Sequence, residues 1–218
     1  MSHAMKTPSR QIESAKKAFE KKLWFEAERS ALQIVEHARG VFDFDSMAAA
    51  LPILRDARMA RFEEAFQIAD GTIRELEEPI EEDFKVTPGC WLVQPPFVGA
   101  DARNIRSMAI EQELPVAVLC REPLTQLGFQ PVVSIGRITI RTKVDPPENP
   151  SNPDLEWFKY ALDELGEAAI ESIDTGTDVV KQVDALLDCI ATIPEHARLH
   201  DALEETCRLA ADAMRNQD

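Results

Sequence analysis

The spacing of apolar residues along this chain changes period twice, from helical to strand-like and back. Between Ser9 and Lys22 the apolar positions Ile12, Ala15, Ala18 and Phe19 recur every three or four residues among Lys and Glu, which predicts an amphipathic helix. A second helix carries Trp24, Phe25, Ala27, Ala31, Leu32, Ile34 and Val35 and is expected to stop near Gly40. A third opens after Asp45-Ser46 as N-cap and runs through Met47, Leu51, Leu54, Ala57, Phe62, Ala65 and Phe66 toward Gly71. Pro52 falls in its first turns or marks a kink. Glu75 to Asp83 packs six acids around a proline and reads as a solvated connector.

The period then shortens. Cys90 to Gln94 is a short apolar run closed by Pro95-Pro96, which cannot continue a sheet ladder. Residues 101–112 return to helical spacing, opened by Gly99 or Asp101, and Val116 to Cys120 forms a second buried strand. Strand, helix and strand in sequence make a βαβ unit, so these two strands should be parallel. Pro131 to Ile135 and Ile138 to Val144, joined at Gly136-Arg137, read as a hairpin. Such a sheet with one helix leaves a face bare, so helices from outside residues 88–144 should pack on it.

Asp145 to Pro153 holds four prolines and reads as a stiff linker, after which Asn152 and Pro153 should open a helix containing Trp157, Phe158, Ala161, Leu162 and Leu165. Two more helices are expected, over residues 178–193 and 194–214. The predicted class is therefore α+β and mainly helical, with a small central βαββ mixed sheet flanked by N- and C-terminal helical hairpin or three-helix units. The expected segments are 1–83, 84–145 and 146–218. The opening Met1-Ser2-His3-Ala4-Met5 reads as an expression remnant, so His3 is set aside.

Trp24, Ala27, Ala31 and Ile34 resemble the second helix of a tetratricopeptide repeat, and Pro194 with Leu203 resembles the junction and packing position between such repeats. The resemblance implies helical arms that bind other proteins.

Charge changes the picture of partners. The net charge is -15, and nucleic-acid affinity comes largely from Lys and Arg neutralising phosphates, so no nucleic-acid partner is expected. Residues 86–146 carry 6 basic against 5 acidic residues, whereas residues 147–218 carry 5 against 17. The acidity sits in the arms. Chain-long apolar runs and a signal-peptide core are absent, so neither a membrane partner nor export is expected. Cys90, Cys120, Cys189 and Cys207 lie at apolar positions too far apart for a CxxC pair, which predicts buried reduced thiols in a cytoplasmic protein.

Candidate chemistry is sparse. His196 and His200 stand four apart without an HExxH context and read as a solvated or helix-capping pair, so neither metal nor cofactor is expected. No nucleophile or phosphate-binding motif occurs, and no catalytic set is assigned. The carboxyl ends of the first two strands are the one place where fold logic suggests a ligand mouth, lined by Gln94, Gly99, Arg103, Arg121 and Thr125. In the absence of a ligand, Arg121 is expected to pair with Asp101 or Glu122. The function expected is a non-enzymatic protein-interaction or scaffold module, self-associating or binding another protein; the alternative is a small-ligand or anion-binding regulatory domain using that mouth.

Overall fold

The computed structural model describes residues 8–216, so the opening Met1–Met5 stretch lies outside the described residues. Its elements are α1 (Pro8–Glu20), α2 (Trp24–Gly40), α3 (Phe44–Ala69), β1 (Ile73–Glu75), β2 (Gly89–Val93), α4 (Gly99–Glu111), β3 (Val116–Arg121), β4 (Gln130–Ile135), β5 (Thr139–Val144), α5 (Leu155–Glu171), α6 (Val179–Thr192) and α7 (Ala197–Arg215). The fold is α+β and mainly helical, with a single mixed sheet. No helix among the described residues is long and apolar enough to cross a membrane.

Strand order follows the sequence, β1-β2-β3-β4-β5. β1 and β2 are parallel, as are β2 and β3, and β3-β4-β5 run antiparallel. The parallel pair and the hairpin match the alternation in the sequence. The edge strand β1 is the addition: it opens the acidic stretch read as a connector, and Leu76 beyond it donates its amide to the Leu92 carbonyl at 3.1 Å. Three residues are too few to carry a period, so only pairing reveals this strand.

Side chains alternate across the sheet. Trp91, Val93, Val118, Cys120 and Val133 face α4 and form a core with its Ala102, Ile105 and Ala109. On the opposite face α5 packs over β3, β4 and β5, and its Trp157 ring lies 6.0 Å from the Arg121 guanidinium. A helix from outside residues 88–144 does cover the sheet, as its apolar faces required.

The β3-β4 ladder holds only two residue pairs, Cys120 with Val133 and Arg121 with Val132. Beyond them the strands part, and Arg106 of α4 reaches into the opening. Its guanidinium donates to Ser134 Oγ at 3.2 Å and to the Thr192 carbonyl at 3.1 Å, and lies 3.5 Å from Glu195. Ser134 Oγ donates to the same Thr192 carbonyl at 2.8 Å. Gly136 permits this approach, because a Cβ there would lie 2.7 Å from Thr192 Cα.

The compact units are not contiguous in sequence. One comprises the described residues up to Ala60, Asp174–Leu187 and the described residues from His200 on; the other comprises Arg61–Ile173 and Asp188–Leu199. In the first, α1 and α2 pack on each other, with Ala18, Ala27 and Ala57 in one apolar cluster. Buried Arg58 donates to Glu28 at 2.8 Å and lies 3.1 Å from His200 Nε2. The second unit contains the sheet, α4 and α5.

Helix starts differ from the sequence expectation by a few residues. Asp43, rather than Asp45-Ser46, caps α3 by accepting from the Ser46 amide at 3.0 Å, which puts Pro52 in the helix interior. Asp154, rather than Asn152, caps α5, its carboxylate accepting from the Trp157 amide at 2.8 Å. In each case several Asx or Ser residues precede the helix, and all are competent caps; tertiary packing chooses among them.

Candidate functional site

The carboxyl ends of parallel strands β2 and β3 place two loops at one end of the sheet, residues 94–98 and 122–129. Gln94 and Arg121, both expected to line a mouth here, are brought together. Arg121 Nε donates to Gln94 Oε1 at 2.7 Å, and its Nη2 donates to Gln94 Oε1 and, at 2.8 Å, to the Pro150 carbonyl. Gln94 Nε2 in turn donates to Glu75 Oε2 at 2.8 Å. The result is a polar chain from β1 across β2 and β3 to the proline-rich linker. Burial pulls the Arg121 guanidinium below its ordinary value, and the Glu75 carboxylate acts in the opposite direction.

The pairing of Arg121 thus differs from the expected Asp101 or Glu122. Asp101 accepts from the Val98 amide at 2.8 Å, capping its own helix, and Glu122 pairs with Arg141 at 2.7 Å. Each acid lies closer along the backbone to another donor, and Gln94 is what β2 presents across from β3. Gly99 begins α4, where a Cβ would lie 2.7 Å from Ile135 Cδ1; its role is close packing of helix on strand. Arg103 is exposed on α4 and does not join the Gln94–Arg121 network.

Thr125 organises the second loop. Its amide donates to the Phe129 carbonyl at 2.9 Å, its hydroxyl accepts from the Phe129 amide at 3.0 Å, and Gly128 N–H donates to the Thr125 carbonyl at 3.0 Å. Gly128 has φ +85°, which the turn requires and glycine supplies. A loop whose backbone satisfies itself this way holds its side chains in place, and those it turns outward are apolar. Leu127 is 83% exposed, Leu124 51% and Phe129 43%. Sequence reading passed over these three because isolated apolar residues in a polar loop carry no period; the signal available was their density around Pro123 and Gly128.

A second cluster escaped the sequence reading. His196, in the turn before α7, is buried, and Nε2 lies 3.1 Å from Asp163 Oδ1 and 3.2 Å from Glu167 Oε1 of α5. The two histidines expected to be solvated or capping are both buried, at 4% exposure for His196 and 1% for His200. They do not act as a pair: His196 meets the α5 carboxylates, and His200 meets Arg58. The i, i+4 spacing of Asp163 and Glu167 was visible, but their meeting with a residue about thirty positions on was not.

The chain has no match among protein-family models, curated proteins or solved structures.

Proposed function

We propose that this protein is a non-enzymatic interaction module that binds another protein through the loop Glu122–Phe129. The observation that carries this reading is the internally braced turn that displays Leu124, Leu127 and Phe129 to solvent. Exposed apolar groups that cluster at one place signal a contact surface, and a loop already held in one conformation loses little entropy on docking. The partner implied is a protein with an apolar pocket. The net charge of -15 opposes association between copies of this chain, which favours a different protein over self-association. The same charge argues against nucleic acid. The tetratricopeptide-like pattern of Trp24, Ala27, Ala31 and Ile34 belongs to the same reading, and buried thiols fit a reducing compartment such as the cytoplasm.

A photo-crosslinking amino acid at position 127, compared in cells with the same group at exposed position 205, tests the assignment. The expected result is one adduct, seen from position 127 alone, whose purified partner binds the wild type and binds Leu127→Asp at least tenfold more weakly. Light scattering should show a monomer. A dimer that Leu127→Asp abolishes would replace the reading with self-association, and a partner indifferent to Leu127→Asp would overturn it. A melting-temperature rise with inorganic phosphate that Arg103→Ser removes would instead move the function to the ligand mouth of Gln94, Gly99, Arg103, Arg121 and Thr125.

A further inference from the structure

We infer that Asp163, Glu167 and His196 form a binding site for a divalent transition-metal ion of the zinc or cobalt type. The donor atoms come from two separate places in the chain and converge. One ligand atom from each of the three lies within 4.8 Å of the others. Ligand atoms about 2.1 Å from a common ion lie roughly 3.0 Å apart at an octahedral angle and roughly 3.4 Å apart at a tetrahedral one. The distances from His196 Nε2, 3.1 Å to Asp163 Oδ1 and 3.2 Å to Glu167 Oε1, fall between these values.

The imidazole is also built into place. It lies against α5 over Gly166, where a Cβ would come within 2.0 Å of His196 Cγ, 2.2 Å of Cδ2 and 2.5 Å of Nδ1. Asp163, Gly166 and Glu167 share one helix face at i, i+3 and i+4. The helix therefore carries its one residue without a side chain under the ring, with a carboxylate a turn before it and another beside it. Helix-interior glycine costs about 1 kcal/mol relative to alanine, and its benefit here is the seat for this imidazole.

Beside the cluster opens a cavity of about 350 Å³ lined by Phe62, Phe66, Lys159, Leu162, Asp163, Glu195 and His196. It gives room for the water ligands that three protein donors leave to be supplied. Asp163 is 68% exposed at its side chain, which provides the path of entry. Glu167 also accepts from Arg198 Nη1, an arrangement that orients the carboxylate and leaves its other lone pairs for an ion. One imidazole and two carboxylates suit zinc, cobalt or manganese; the nitrogen disfavours magnesium and calcium, which take oxygen ligands, and the absence of thiolate from the set disfavours softer ions.

The rival account of the same contacts is an imidazolium held between two carboxylates, and it predicts no metal. The test uses the full chain stripped with EDTA and titrated calorimetrically with zinc chloride, with cobalt absorption as a second readout. The expected result is one zinc per chain, a melting temperature that rises with zinc, and visible cobalt bands. Asp163→Asn, at an exposed position that the fold tolerates, should weaken zinc binding at least tenfold and abolish the cobalt bands. His37→Gln, at an exposed histidine elsewhere, should leave both unchanged. No zinc binding below about 100 µM, or binding that survives Asp163→Asn and is lost in His37→Gln, would overturn the site.

Discussion

At the scale of single residues, the positions that decide this structure are those where one side chain is accommodated by the lack of another. Gly166 is the clearest case. Alanine there gains about 1 kcal/mol of helix propensity, but its Cβ would occupy the space of the His196 ring, 2.0 Å from Cγ. Overpacking of that kind costs more than propensity returns, so Gly166→Ala should lower stability by about 1–3 kcal/mol in a urea melt; an unchanged or higher midpoint would show that the ring is not held as described. None of this was legible beforehand. A glycine within a helical period reads as a weak point, and what it makes room for comes from about thirty residues further on. Arg121 gives the same lesson: its type suggested a mouth, but its partners, Gln94 and the Pro150 carbonyl, are set by strand register and linker path.

At the scale of elements, helices were legible and their ends were not. Apolar periodicity located the helices because each buries a stripe, and a stripe repeats over several turns. The ends depend on single residues. Three helices terminate with a left-handed residue that is not glycine: Lys22 (φ +60°), Phe42 (φ +58°) and Glu113 (φ +52°). Each is followed by an amide that closes the paired bonds of a Schellman turn, Leu23 to Ala18, Asp43 to Ala38 and Leu114 to Ala109 at 3.0, 2.9 and 2.8 Å. Gly40, the expected stop, lies two residues before the position that turns. Side chains in this conformation carry strain of about 1 kcal/mol that glycine relieves, partly offset by the greater freedom of glycine in the unfolded chain. Glu113→Gly should therefore raise stability by about 0.5 kcal/mol, and a thermal melt showing a lower midpoint would contradict the cap.

At the scale of the whole molecule, the class of fold followed from the two changes of period, since a short strand-like stretch between helical ones permits few architectures. The non-contiguous division into units could not be read the same way, because it depends on which helix faces meet, and many apolar stripes are interchangeable. All four thiols lie in the interior, and their titration couples to the entire fold. Burial pushes Cys90, Cys120 and Cys207 from an ordinary value of 9.0 up to about 12, and Cys189 up to about 11. The unfolded chain therefore loses these protons at lower pH than the folded one. The contribution to stability is intact below pH 9 and falls progressively between pH 9 and about 12. Denaturant midpoints should decline over that range, and replacing Cys207 with Ser or Ala should soften the decline; at neutral pH the thiols should react with alkylating reagents only as fast as the protein opens.

The Arg106 contacts bear on how the chain is made. Arg106 and Thr192 are separated by 86 positions, so a ribosome releases all five strands before the residues that fill the parting between β3 and β4 have been synthesised. Until then the guanidinium has neither the Thr192 carbonyl nor Glu195 to meet, and the parallel and antiparallel halves of the sheet are joined by two residue pairs alone. Contacts of such long separation close late. The nascent sheet is thus a hinge that becomes a rigid slab only when the C-terminal helices arrive, and a chain truncated before Thr192 would keep its strands but lack what locks them together.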